Sequence, residues 1–157
     1  MNIHFDAAYS QLLSRTASGL VVRSPRGDIL ATKAVIHSNI SSPFAAEALV
    51  GMQAVRLGVI MGLNTCEIIG DSRTAIKKCQ STERDKSVIG AIISNIQDAM
   101  SFFQEIKFHC ISREENMLAH VIAREALKNG EGYYLENSIE EQVRLEMERR
   151  RIDCPNK

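Results

Sequence analysis

The sequence predicts an α/β fold in which a mixed five-stranded sheet is flanked by helices. Three segments with strand character, residues 3–9, 19–24 and 28–37, follow one another too closely for anything but antiparallel pairing. Two further apolar strands, 65–70 and 105–111, each follow a helical segment and can therefore pair in parallel. A chain of 157 residues is long enough for one domain with a proper core.

Side-chain alternation and one turn justify the first three strands. Ile3 and Phe5 lie on the side of the first strand opposite Asp6, as in a strand with one buried face. Between the second and third strands, residues 25–28 (Pro-Arg-Gly-Asp) predict a turn, because Pro and Gly favour the backbone angles of a reversal. We therefore expect the second and third strands to form a hairpin.

Helical spacing and end signals predict the helices. Ser42 is placed to cap a long helix, with Pro43 at its first position. The last of these helices has the clearest apolar stripe, and Asn129-Gly130 ends it. The predicted helices cover residues 42–63, 71–79, 87–103 and 114–128, with a polar loop at 80–86.

The character of the sequence changes near residue 130. We assign residues 1–130 to one domain and residues 131–157 to a charged C-terminal extension. The stretch 137–151 is rich in Glu and Arg, which favours a solvated helix.

Composition restricts the possible functions. Lys plus Arg and Asp plus Glu both number 19, so a nucleic-acid partner would have to bind a local basic patch. Aromatic residues make up only 5% of the chain and Trp is absent, which argues against a base-stacking platform.

Several sequence features predict an intracellular protein, in either nucleus or cytoplasm. We find no uninterrupted apolar run near the roughly 18 residues of a membrane helix, and no secretory signal at the start. The four cysteines, Cys66, Cys79, Cys110 and Cys154, show no CxxC spacing, which favours free thiols in a reducing compartment.

Three carboxylates stand out by position. Asp6 lies on a strand face, Glu47 lies early in a mostly apolar helix, and Asp71 follows an apolar strand. Each has a simple structural explanation: an exposed strand carboxylate, a surface glutamate and a helix N-cap, respectively. Together they could converge in a mixed sheet, and clustered carboxylates repel one another unless a cation lies among them. Mg²⁺ prefers such oxygen ligands.

Five short motifs occur in an order and spacing that resemble the ribonuclease H-like domain of plants, related to the final domain of retroelement reverse transcriptases. The match covers roughly residues 2–130, and the tail from Tyr134 to Arg151 resembles an extension that some plant members carry. The motifs are Phe5-Asp6-Ala7-Ala8, Gly19-Leu20-Val21-Val22-Arg23 with Gly27-Asp28-Ile29-Leu30, Ala46-Glu47-Ala48-Leu49, Ile69-Gly70-Asp71-Ser72 and Arg113-Glu114-Glu115-Asn116-Met117-Leu118-Ala119-His120.

The resemblance implies a ribonuclease H-like fold and a metal-dependent endonuclease that hydrolyses the RNA strand of RNA–DNA hybrids. Asp6, Glu47 and Asp71 match three of the family's four acidic metal ligands. Two divalent ions, Mg²⁺ or Mn²⁺, about 4 Å apart would hold the scissile phosphate in that mechanism. Contacts to 2′-hydroxyls in the minor groove would select RNA.

Two positions depart from the family's pattern. The fourth acidic ligand falls at His120, as in many plant members, and its nitrogen suits Mn²⁺ better than Mg²⁺. The family's loop histidine, which is thought to move a proton or to assist product release, falls at Cys110. We include His120 among the catalytic candidates, with a solvated surface histidine as the alternative.

Basic and polar residues near these motifs are candidates for contact with nucleic acid. The candidates are Arg73, Lys77, Lys78, Arg113 and Asn116. An ordinary solvated helix face is the alternative for Arg73, Lys77 and Lys78. Three hypotheses therefore remain: an active hybrid-cleaving nuclease, a lapsed nuclease that still binds nucleic acid, and a protein-interaction domain.

Overall fold

A mixed sheet organises the described part of the chain, which in this computed structural model comprises residues 1–40, 42–80 and 88–153. The strands are β1 Asn2–Ser10, β2 Arg15–Arg23, β3 Ile29–Ser38, β4 Thr65–Gly70, β5 Glu105–Cys110 and β6 Tyr133–Glu136. The helices are α1 Pro43–Ile60, α2 Arg73–Gln80, α3 Val88–Ala99, α4 Met117–Asn129 and α5 Glu141–Asp153, and a 3₁₀ turn, Met100–Phe102, follows α3. The predicted loop lies largely outside the described residues.

The strand order in the sheet is β5-β4-β1-β2-β3-β6. β1, β2, β3 and β6 pair antiparallel, whereas β4 pairs in parallel with β1 and with β5. The mixed sheet is thus confirmed, but the predicted count of five strands is wrong, because the described residues contain a sixth. β6 has only four residues, of which two are half-buried, so its hydrophobic pattern is too short to recognise in the sequence.

The sheet separates two hydrophobic clusters. On one face, Ile3 and Phe5 of β1 pack with α1 and α3. On the other face, Ala17 and Val21 of β2 pack with α4, and Val143 of α5 lies in the same cluster. β1 therefore presents its apolar side to α1 and its polar side, with Asp6, to α4.

The predicted end signals of two helices are present. Ser42 Oγ accepts a hydrogen bond of 3.1 Å from the N–H of Ala45, and Pro43 is the first residue of α1. Gly130 ends α4 in the left-handed conformation, with φ of 72°, and donates its N–H to Ala126 O at 2.7 Å. Both helices therefore begin or end for local reasons already present in the sequence.

By length and composition, α1 meets the criteria for a helix that could cross a membrane. Half of it is buried in the protein, however, and Ala46, Val50 and Ala54 are fully buried. The core helix of a globular domain meets the same criteria, and α1 covers one face of the sheet.

The C-terminal segment packs onto the sheet and α4. The N–H of Asn137 bonds to Leu30 O, and Thr32 Oγ1 donates to Ser138 O, each at 2.9 Å. Val143 is fully buried. The helical part of the predicted extension is observed as α5, while the assignment of residue 130 as a domain boundary stays a prediction.

Gly19 sets the distance between β2 and α4. A Cβ atom at this position would overlap the carbonyl oxygen of Ala119 and would lie 2.8 Å from the backbone nitrogen of Ala123. Backbone atoms cannot rotate away as side chains do, so a residue larger than glycine would move the helix off the sheet.

We therefore expect Gly19→Ala to lower the free energy of unfolding by about 3 kcal/mol, because α4 must move away from β2. Urea denaturation measures the change. The matched control is Ala17→Gly on the same strand and face, which should cost about 1.5 kcal/mol through backbone entropy and one lost buried methyl. Equal losses in the two variants would contradict the close-approach argument.

His4 gives the fold a pH dependence. Burial, and to a lesser degree the charge of Arg23, lowers the pKa of His4 from 6.5 to about 4. The unfolded chain therefore takes up a proton before the folded one does, and stability present above pH 6.5 is lost as the pH falls towards 4.

We expect His4→Gln to flatten this dependence, removing a loss of up to roughly 2 kcal/mol after allowance for solvent screening. Thermal unfolding between pH 4 and 7 in EDTA measures it. His109→Gln is the control, because His109 is exposed on β5 and should leave the dependence intact. A profile unchanged by His4→Gln would refute the assignment.

Candidate functional site

The structure brings Asp6, Glu47 and Asp71 together. One potential ligand atom from each lies within 4.8 Å of the others. Strand register explains two of the three positions: His4 is level with Ile69 in the parallel β1–β4 pair, so Asp6 is level with the residue that follows β4, which is Asp71. Glu47 reaches them from the first turns of α1.

Asp71 is not the cap of α2. Ser72 Oγ accepts a hydrogen bond of 3.3 Å from the N–H of Ala75, and the Ser72 carbonyl accepts from Ile76. The adjacent serine thus serves the helix end, which leaves the Asp71 carboxylate for the cluster. Its side chain is only 7% exposed.

The cluster contains buried oxygens that lack hydrogen bonds. Asp6 Oδ1, Glu47 Oε2 and Asp71 Oδ2 are buried and have no hydrogen-bond partner among the described residues. A buried, unpaired carboxylate oxygen is costly unless a cation or another donor compensates it. All-oxygen donors of this kind fit Mg²⁺ or Mn²⁺.

The electrostatics of the cluster oppose full ionisation. Burial, together with the charges of Asp6 and Asp71, raises the pKa of Glu47 to about 9, although a hydrogen bond from the Ala7 backbone acts in the opposite direction. Burial and the charge of Asp6 also raise the pKa of Asp71, against the effects of Arg113, Asn116 and His120. The three groups would need an added positive charge to remain ionised together.

His120 lies against Asp6 and is not a solvated surface residue, so that alternative is wrong. It is 8% exposed, and its Nδ1 lies 2.7 Å from Asp6 Oδ2. When Asp6 is ionised, its carboxylate accepts this bond from Nδ1, which leaves Nε2 for other chemistry. Helical spacing placed His120 off the apolar stripe, but the close approach of α4 at Gly19 buries a wider face of the helix.

Asn116 lies beneath the site. It precedes α4 but makes no side-chain cap; instead its Nδ2 donates to Phe5 O at 2.8 Å. The residue is 2% exposed, so its side chain is placed to position β1 beside Asp6. Its predicted contact with nucleic acid stays a prediction.

The predicted basic residues lie around the cluster to different degrees. Arg113 is exposed, with its Nε 3.8 Å from Asp71 Oδ2. Arg73 and Arg113 line a depression of about 610 Å³ that also includes Asp71 and Cys110. Lys77 is exposed on α2, and the side chain of Lys78 lies outside the described part of the chain. Their binding of phosphate stays a prediction.

The cysteines that the structure describes are free thiols. Cys66 is buried and Cys110 is exposed at the end of β5. The exposed position of Cys110 leaves it facing solvent, where the family pattern would place a histidine. The side chain of Cys79 and all of Cys154 lie outside the described residues.

Sequence reasoning missed the role of Gly19 in forming this site. Gly19 is directly opposite Asp6 in the β1–β2 register. The Cα of Gly19 lies against the backbone of Ala119, the residue before His120. A glycine opposite a candidate carboxylate, in a strand otherwise rich in larger residues, was the available signal.

We expect Glu47→Gln to stabilise the metal-free protein by about 1 kcal/mol at pH 7, or about 3 °C in Tm, because its raised pKa costs folding energy at neutral pH. The same change should abolish most of the Tm increase produced by Mn²⁺. Thermal unfolding in EDTA and in Mn²⁺ measures both effects.

Glu67→Gln is the control for this experiment, since Glu67 is exposed on β4. It should behave as the unaltered protein in both conditions. An Mn²⁺ response of full size in Glu47→Gln would show that Glu47 is not a ligand.

The architecture is that of ribonuclease H. The chain is similar to RNase H1 from the halophilic archaeon Halobacterium salinarum, with a TM-score of 0.74 and 21% identity over 82% of this chain and 97% of that one. LC11-RNase H1 from compost, solved in complex with an RNA/DNA hybrid, gives 0.72 and 17% over 82% and 97%. The N-terminal RNase H domain of a Mycobacterium tuberculosis protein gives 0.71 and 17% over 82% and 94%. These identities show the fold alone.

The chain belongs to the reverse transcriptase-like family, whose model matches residues 4–126. No curated protein matches the chain. The matched range contains all three carboxylates and His120, whereas β6 and α5 lie beyond it.

Proposed function

We propose that the chain is a metal-dependent endoribonuclease that cleaves the RNA strand of RNA–DNA hybrids. The observation that carries this proposal is the cluster of three buried carboxylate oxygens on β1, α1 and the end of β4 that accept no hydrogen bond from the described residues. The complex of LC11-RNase H1 with an RNA/DNA hybrid supports the choice of substrate.

Asp6, Glu47 and Asp71 would hold Mg²⁺ or Mn²⁺ in a two-ion site. When bound, such ions neutralise charge on the scissile phosphate and make water a better nucleophile. The donor set fits them, because each of the three residues offers carboxylate oxygen and none offers sulfur.

The protein's own side chains would orient this site. His120 holds Asp6 through its Nδ1 proton, so that the other carboxylate oxygen of Asp6 stays available. Nε2 of His120 is then the nitrogen that could bind a metal ion beside Asp6. Asn116 fixes the backbone of β1 beside Asp6. Arg113 and Arg73 lie where they can bind phosphates near Asp71.

A second candidate is a lapsed nuclease that still binds hybrids. The observation that favours it is the bond between His120 and Asp6, which occupies one Asp6 oxygen and replaces the fourth carboxylate by an imidazole. Such a site would hold divalent metal less strongly but would keep its contacts to phosphates. An intracellular setting and a place in the plant branch of the family also remain proposals from the sequence.

We expect a labelled RNA–DNA hybrid to be cut in the RNA strand, and Asp71→Asn to reduce cleavage at least about a hundredfold by removing a metal ligand. Gel analysis of the products measures the rate. Asp28→Asn, an exposed residue at the β2–β3 turn, makes the same chemical change as a control and should cleave normally. Unchanged cleavage in Asp71→Asn would sink the metal-site assignment.

The choice of metal tests His120. We expect faster cleavage in Mn²⁺ than in Mg²⁺, since imidazole nitrogen suits Mn²⁺ better. His120→Asp should shift the ratio towards Mg²⁺ by restoring a carboxylate. An unaltered ratio would argue against His120 as a ligand, and hybrid binding without cleavage in either metal would favour the lapsed nuclease.

A further inference from the structure

A groove of about 580 Å³ lies beside the carboxylate cluster, between α4, α5 and the β1–β2 hairpin. It includes His120 and Arg113, both of which border the cluster. The groove is therefore continuous with the proposed cleavage site, and it extends along α4 away from that site.

The groove has a positive surplus that the whole chain lacks. Its lining carries five basic residues, namely Arg113, Arg124, Lys128, Arg149 and Arg150, and two acidic ones, Glu125 and Glu146. The chain as a whole has a formal net charge of zero. A concave surface with a local surplus of positive charge attracts the phosphates of nucleic acids.

Packing fixes α5 as one wall of the groove. Val143 is fully buried against α4, Met147 packs on the same cluster, and Arg150 Nη1 lies 3.4 Å from Met117 Sδ. α5, with Arg149 and Arg150, lies beyond the range that the family model matches.

The ion pairs within the groove are weak enough that phosphates can replace the carboxylates as partners of its basic residues. Glu146 accepts from Arg149 at 2.5 Å and from Arg150 at 3.1 Å, so a single carboxylate serves two guanidinium groups. Lys128 pairs with Glu125 at 3.6 Å, and Arg124 is exposed. Surface ion pairs contribute little stability, so phosphates can replace the carboxylates at small cost.

We propose that this groove is a track for the hybrid's sugar–phosphate backbone, in which Arg124, Lys128 and Arg149 bind phosphates beyond the cleavage site. The proposal rests on the proposed function and adds a second region of contact to it. His120 and Lys128 are eight residues apart on α4, about 12 Å along the helix, which corresponds to roughly three or four nucleotides of one strand.

Fluorescence anisotropy tests the track in the full chain carrying Asp71→Asn, which suppresses cleavage. A short hybrid that fills only the cleavage site is compared with hybrids lengthened by about six base pairs on either side. The hybrid lengthened on the side that enters the groove should bind more tightly than the short hybrid. Arg124→Gln and Arg149→Gln should each weaken its binding about fivefold and reduce the salt slope by about one, with little effect on the short hybrid.

Two matched controls come from α5 itself. Arg144 pairs with Glu141 at 2.6 Å and with Glu148 at 2.7 Å but does not line the groove, so Arg144→Gln should leave binding unchanged. Glu146→Gln should strengthen binding of the lengthened hybrid severalfold by removing the negative charge that pairs with Arg150 in the groove, whereas Glu141→Gln should not.

The outcomes separate failure of the track from failure of the proposed function. If Arg124→Gln and Arg149→Gln weaken the binding of short and lengthened hybrids equally, or weaken neither, the track is wrong. The nuclease assignment would remain intact. An equal effect of Arg144→Gln would overturn the track too. If the unaltered chain neither binds nor cuts hybrids, the proposed function fails, and the track fails with it. Unfolding curves for each variant identify losses that are due to misfolding.

Discussion

The close approach of α4 to β2 at Gly19 is the constraint on which the site depends. Because the glycine has no Cβ, the backbone of Ala119 lies directly on the strand, and His120 follows one residue later. Gly19 is also level with Asp6 on the neighbouring strand. The distance between helix and sheet therefore decides whether His120 can reach Asp6, and a helix one side-chain diameter further out could not make that bond.

The site is costly for folding. It holds three carboxylates, and burial is the largest cause of the raised pKa values of Glu47 and Asp71. The described residues offset only part of this cost, through His120, Arg113 and the Ala7 backbone. An undercompensated cluster of this kind would favour cation binding for a physical reason, since each bound positive charge returns free energy lost on burial.

Those parts of the fold and site that follow from local pattern were predictable. Alternation placed Asp6 on the polar face of β1, and the apolar strand before Asp71 was recognised, whereas the parallel β1–β4 register that sets Asp71 level with Asp6 is a property of the folded sheet. The burial of His120 depends on a helix–sheet distance that helical periodicity does not contain. β6 was missed because pairing with β3, and not its own four residues, makes it a strand.

The net charge of the chain does not describe the charge of the groove between α4 and α5. The neutral total implied that a nucleic-acid partner would need a local basic patch, and the folded chain does distribute its charges unevenly. α5 directs Arg144 away from the groove, where two glutamates flank it, and turns Arg149 and Arg150 towards α4 with one glutamate between them. The helix is nearly balanced in sequence, but its two faces are not equivalent once Val143 and Met147 fix its rotation. An amphipathic anchor can thus give a mixed charged segment one face with a positive surplus, whose field extends over a Debye length, about 8 Å in physiological salt.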